Sequence, residues 1–205
     1  MSNIKSKQVK IVLFCILLGA GILAAGFFVV RLRGSVVVKP GGMQWCVGEV
    51  AAYRQDDEIW GEDTLGDSRF TMRSSGCLVT CIASAVSMET GKEMTPGVLN
   101  QIFSENHVYD REGNIQWAAV DRIEGYQTGV FDKVSEAEIA QCLAAGHYPI
   151  VRVRMHGLGS FHYVLIVGSE DGEYVCIDPL EDGLTRLSDY LNRVYAVRVV
   201  WKIFS

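Results

Sequence analysis

The chain has 205 residues, 49% of them apolar and 21% charged, with a formal net charge of −5. That length holds one domain with a real core and little more. Acidic and basic residues are mixed throughout, which excludes the clustered basic face of a nucleic-acid binder, and there is no internal repeat or low-complexity tract.

Ile11 to Val30 form an unbroken apolar run, IVLFCILLGAGILAAGFFVV. At ~1.5 Å per residue it makes roughly 30 Å of helix, the thickness of a bilayer core. Lys5, Lys7 and Lys10 precede it, and Arg31 and Arg33 follow. With the amino terminus added and no acid on that side, the positive-inside bias predicts a short cytoplasmic segment at 1–10, a transmembrane signal-anchor at 11–30 and a domain outside the membrane. A cleaved signal peptide is the rival reading. Ala24-Ala25-Gly26 would supply its small-residue site, yet Phe27 to Val30 carry the apolar run past it. Cys15, mid-span, reads as a small apolar residue. The Gly-rich stretch 31–49 reads as a linker, so the folded domain is expected over 50–205.

Ser74-Ser75-Gly76 leads into CLVTCIASAVSMET, which is apolar or small nearly all round, as in a helix buried on most sides. Ser74 or Ser75 is placed to cap its start and Gly91 to close its end. Thr95 and Pro96 open a second helix as N-cap and first helical residue. A shorter amphipathic helix is expected within 114–123. Ser135 and Glu138 form a capping-box pattern for a helix that ends at Gly146. The period then changes from 3.6 to 2. Strands are predicted over 149–155, 161–167, 173–177 and 194–204, with 168–172 as a five-residue hairpin loop. Helices first and an antiparallel sheet second is an α+β order.

Three residues stand out chemically. Cys77 sits at the start of the buried helix, where unpaired N–H groups and the helix dipole favour a thiolate, the reactive form of cysteine. The alternative is one more small buried residue, like Cys81 a turn later. His162 begins one strand and Asp178 follows the next. With a five-residue loop, Val167 faces Glu173, and His162 then lies directly opposite Asp178 on the same face. A carboxylate there fixes the imidazole tautomer while the other ring nitrogen addresses Cys77. A purely structural His–Asp bond is the competing interpretation. His107 and His147 read as solvated, and His156, in a Gly-rich loop, as bordering the cleft. Cys46, Cys77, Cys81, Cys142 and Cys176 fit either one free thiol with two bridges or five reduced residues. No metal-ligand spacing, phosphate-binding Gly loop or Ser-nucleophile elbow is present, so no cofactor is expected.

Tyr53-Arg54-Gln55-Asp56 with Trp60, Gly76-Cys77-Leu78-Val79-Thr80, Thr95-Pro96, Trp117, Phe161-His162-Tyr163-Val164 and Ile177-Asp178-Pro179 occur in that order. Together, over roughly residues 50 to 200, they resemble the papain-like cysteine peptidases of family thirty-nine, named for the double-glycine leader peptidases that process bacteriocins. The resemblance implies a papain-like fold, with N-terminal helices packed on a C-terminal antiparallel sheet. It makes Cys77 the nucleophile, His162 the general base, Asp178 the orienting acid and Gln55 the oxyanion-hole side chain. Leu78 stands where the family often has glycine. The better-known members are fused to transporter ATPases and work in the cytoplasm, so their bacteriocin-leader substrate does not carry over. Three functions are therefore expected to compete: an extracytoplasmic peptidase acting on a peptide or protein substrate, a catalytically silent peptide-binding module of the same fold, and an amidase acting on cell-wall peptide.

Overall fold

A computed structural model describes residues 2–42, 44–131 and 133–203. The chain divides into two units, residues 1–34 and residues 35–205. The first is helix α1 (Ser2–Leu32), within which Leu13–Leu32 has a mean hydropathy of 2.6 and is long and apolar enough to cross a membrane.

The second unit is mixed α and β. In chain order it holds β1 (Val36–Val37), α2 (Met72–Ser75), α3 (Cys77–Thr90), α4 (Pro96–Glu105), α5 (Trp117–Val120), β2 (Tyr126–Val130), α6 (Glu136–Ala144), β3 (Ile150–Arg154), β4 (Phe161–Glu170), β5 (Glu173–Ile177), β6 (Leu184–Arg186), β7 (Arg193–Val194) and β8 (Ala196–Lys202). Six strands form one antiparallel sheet in the order β2-β8-β3-β4-β5-β6, and β1 pairs with β7 in a second, two-stranded one. Alternate residues of the large sheet feed two cores. Leu165, Val167, Val175, Ile177 and Val200 pack with Ile82, Val86, Leu99 and Phe103 of α3 and α4. Val151, Val164, Ile166, Tyr174, Cys176 and Val197 pack on the other face with Val38, Ile139 and Leu187. With both faces covered, β4 and β5 are apolar over Tyr163–Val167 and Tyr174–Ile177, whereas β3 and β8 carry half-buried arginines at Arg152, Arg154 and Arg198.

The second and fourth predicted helices of the domain form with Thr95 and Ser135 as their N-caps. Thr95 Oγ1 accepts from the Val98 N–H, and Ser135 Oγ from the Glu138 N–H. The start of α3 differs from expectation. Thr71, not Ser74 or Ser75, caps a separate short turn, α2, and Ser74 completes its capping box. Gly76 then joins α2 to α3. A Cβ on Gly76 would lie 2.5 Å from the Met72 carbonyl oxygen, so only glycine allows this close stacking. Gly91, at φ 62°, closes α3 as expected. The helix expected within 114–123 shrinks to the single turn α5, and β2 and β6 are strands without a sequence signal.

The stretch read as a linker, 31–49, is largely part of the fold. Val36 and Val37 pair with Val194 and Arg193, Val38 is 1% exposed, and Trp45 exchanges hydrogen bonds with Ser169. Gly168 admits this crossing, because a Cβ there would lie 2.6 Å from the Trp45 carbonyl oxygen. A chain starting at Ser35 is therefore expected to unfold in one cooperative transition. One starting at Gly48 loses the burial of Val38 and the β1–β7 pair, about 2–3 kcal/mol, and should melt roughly 4–12 °C lower. Equal melting temperatures by circular dichroism would return residues 35–47 to the status of a linker.

Candidate active site

Cys77 is the first residue of α3, and its backbone N–H is one of the first-turn donors that a helix cannot use internally. The thiol is half-buried and lines an open cleft of about 780 Å³, walled by Phe70, Leu78, Trp117 and Tyr163.

His162 stands near the start of β4 and is 3% exposed. Its Nε2 lies 2.7 Å from Asp178 Oδ1. The nitrogen not engaged by Asp178 is Nδ1, and the Cys77 side chain is among the neighbours that act on the ring. Burial, the largest influence on the imidazole, lowers its pKa. The bonds to Asp178 and Cys77, with the charges of both, outweigh it and push the pKa up to about 9. An imidazolium is thereby favoured at neutral pH.

Asp178, also 3% exposed, follows the last residue of β5. Burial raises its pKa most, but the opposing bonds from His162, Tyr190 and the Leu180 N–H (2.8 Å) hold it below the usual carboxylate range. Tyr190 donates its hydroxyl to Asp178 Oδ2 from the 3-10 turn Leu187–Tyr190. Tyr190 was not legible in the sequence. It lies 12 residues beyond Asp178, in a stretch with no motif, and only the turn brings it back.

The register that joins His162 to Asp178 differs from the predicted one. Asp171 and Gly172, both at positive φ, make a two-residue turn in place of the five-residue loop, so Glu170 faces Glu173 and β4 runs on to residue 170. A bulge between Ile166 and Gly168 then shifts the pairing to Leu165↔Ile177. Continued past that point, the ladder sets Val164 opposite Asp178, with His162 its diagonal neighbour on the same face.

Gln55 is 3% exposed and is held between the segment before Cys77 and the turn after Asp178. Its backbone N–H donates to the Pro179 carbonyl (2.9 Å), and its Nε2 donates one proton to the Arg73 carbonyl (2.8 Å). The neighbours in its motif supply the clamp. Arg54 bonds Asp56 and Asp182, and Trp60 Nε1 donates to the Arg54 carbonyl.

The other candidates fall outside this group. His156 is exposed and lines a smaller cavity behind Asp178, away from the Cys77 cleft. His147 is not simply solvated: it bonds the largely buried Glu89 (3.1 Å) and stacks on Trp201. All six cysteines are free thiols. Cys81 is fully buried and bonds the Tyr163 carbonyl, and burial pushes its thiol well up. Burial does the same for Cys176, and with the Glu138 charge it pushes Cys142 up to about 11.

No protein-family model matches this chain, and a search of curated proteins finds no match. Any functional reading therefore rests on the geometry of the site itself.

Proposed function

We propose that this protein is a papain-like cysteine peptidase, anchored in a membrane by residues 11–30 with its domain on the extracytoplasmic side. The observation that carries the proposal is a buried imidazole bonded to a buried carboxylate, with a helix-start thiol near enough to act on the same ring. A structural His–Asp bond needs no nucleophile at the other ring nitrogen and no open cleft beside it. The anchor and its orientation rest on the apolar run and its lysine-rich N-terminal flank.

In this mechanism His162 takes the Cys77 proton, and the thiolate attacks the peptide carbonyl carbon. The oxyanion is received by the Cys77 backbone N–H and by the second Nε2 proton of Gln55, the first being held by Arg73. His162 returns its proton to the leaving amine as the C–N bond breaks, leaving a thioester on Cys77. Water gives a proton to the imidazole and attacks the thioester. The C–S bond breaks, and the thiol is restored. Asp178 stays ionised throughout and keeps Nε2–H as the donor toward itself, so that Nδ1 faces Cys77.

The full chain in detergent micelles, incubated with a mixed peptide library, is expected to generate new amino termini detectable by mass spectrometry, and Cys77→Ala to generate none. Peptide binding without cleavage would replace the proposal with a silent binding module of the same fold.

A further inference from the structure

We infer that the cleft beside Cys77 takes an acidic peptide, one that carries glutamate or aspartate side chains near the bond presented to the thiol. The inference rests on the peptidase reading for the ligand being a peptide, and on the charge of the cleft for its being acidic.

Two arginines, Arg69 and Arg111, line the cleft, against a single carboxylate, Glu112. Both are exposed, and among the described residues neither joins an ion pair. Arg69 lies over the Phe70 ring, with its guanidinium carbon 5.2 Å from the centroid.

Two more arginines stand behind the aromatic wall. Arg152 on β3 is paired directly opposite Tyr163. Arg198 on β8 faces Ile150, so it is the diagonal neighbour of Arg152 on the same face of the sheet. Its guanidinium lies 5.7 Å from the centroid of Trp117. Burial raises the pKa of the Tyr163 phenol most, and the charges of Arg152 and Arg198 act on it in the opposite sense. Both side chains are half-buried, and in each the buried Nε has no hydrogen-bond partner. Among the described residues neither is paired with a carboxylate.

Two guanidinium groups thus line the cleft and two more stand behind its wall, in a chain whose net charge is −5. Arg152 and Arg198, partly desolvated and without a carboxylate partner, are unfavourable as they stand, and the field that all four arginines sum draws in an anion. A carboxylate matches the planar guanidinium fork in two hydrogen bonds, while Phe70, Trp117 and Tyr163 offer apolar surface to the rest of a peptide. Glutamate or aspartate beside the reacting bond satisfies both.

The test uses the full chain as Cys77→Ala, so that binding is read without turnover. The probes are octapeptides with a neutral fluorophore, identical except for two Glu, two Gln or two Lys, followed by fluorescence anisotropy. At about 50 mM salt, where screening is modest, the Glu peptide is expected to bind about tenfold tighter than the Gln peptide, and the Lys peptide most weakly. The Glu preference should shrink with added salt and fall to within about twofold in Arg69→Gln/Arg111→Gln. Those two side chains are exposed, and an unchanged melting temperature shows that the fold persists. Equal affinities for all three peptides, or preference for Lys, would overturn the inference. The two readings fail separately. An acidic preference in Cys77→Ala with no cleavage by the unsubstituted chain sinks only the peptidase reading. Cleavage without the preference sinks only the inference.

Discussion

His162→Ala is expected to lower kcat/KM for peptide cleavage by ~10⁴-fold or more, close to the loss from Cys77→Ala. The two substitutions should be nearly equivalent because they break one relay. Without the imidazole the proposed route for the Cys77 proton, onto the ring and back to the leaving amine, is lost. Asp178→Asn keeps the shape of the site but removes the charge, and an amide at that position can accept or donate to Nε2, so the tautomer is no longer fixed. Its expected loss is ~10²–10⁴-fold. Gln55→Ala removes the proposed oxyanion donor together with its bond to the Arg73 carbonyl, and should lower kcat by ~10²-fold. Steady-state rates on one fluorogenic peptide give this ranking. A loss below about tenfold for His162→Ala would remove it from the reaction.

The second large effect is on pH dependence. The reactive pair needs the imidazolium as proton donor to the leaving amine, so activity is present below the His162 pKa and is lost as pH rises through it. With that pKa pushed up to about 9, the alkaline limb of the profile belongs near pH 9. Asp178 raises the value, both as hydrogen-bond acceptor and as charge. Asp178→Asn should therefore move the limb down, toward the ordinary imidazole value of 6.5. The same sign applies to folding. A raised histidine pKa stabilises the native state fully below the unfolded value of 6.5, and the contribution disappears as pH climbs through about 9. An alkaline limb that stays in place in Asp178→Asn would show that the carboxylate does not hold the proton on His162.

The contact between His162 and Asp178 was legible from β alternation, although the route to it was not. Two polar residues in otherwise apolar strands need each other, and that requirement survives an error in register. The two-residue turn alone would have put His162 and Asp178 on opposite faces of the sheet. The extra residue in the bulge near Val167 restores the parity, and no local pattern announces a bulge. Cys77 was legible because a helix of small and apolar residues needs a start, and Gly76 marks it. The capping was misread because Thr71, Ser74 and Ser75 are equally good caps, and only the stacking of α2 on α3 chooses among them. Residues 36–47 looked like a tether because glycine and short apolar runs carry no period. Val36, Val37 and Trp45 are held by non-local partners, Val194, Arg193 and Ser169. Tyr190 and the Arg152–Arg198 pair follow from tertiary placement alone, which a single sequence does not encode in any local spacing.

In the proposed mechanism Cys77 is the reactive thiol because His162, held by Asp178, takes its proton. Iodoacetamide labelling at about pH 6, mapped by mass spectrometry, tests it most directly, because an ordinary thiol with a pKa near 8.5 is well under about 1% ionised there. Cys81, Cys142 and Cys176, their thiols pushed up by burial, should stay unmodified. The expected result is rapid modification confined to Cys77, slowed to the rate of a simple thiol in His162→Ala and retained in Gln55→Ala. Labelling of Cys77 at the same slow rate with and without His162, or preferential labelling of another cysteine, would contradict the claim.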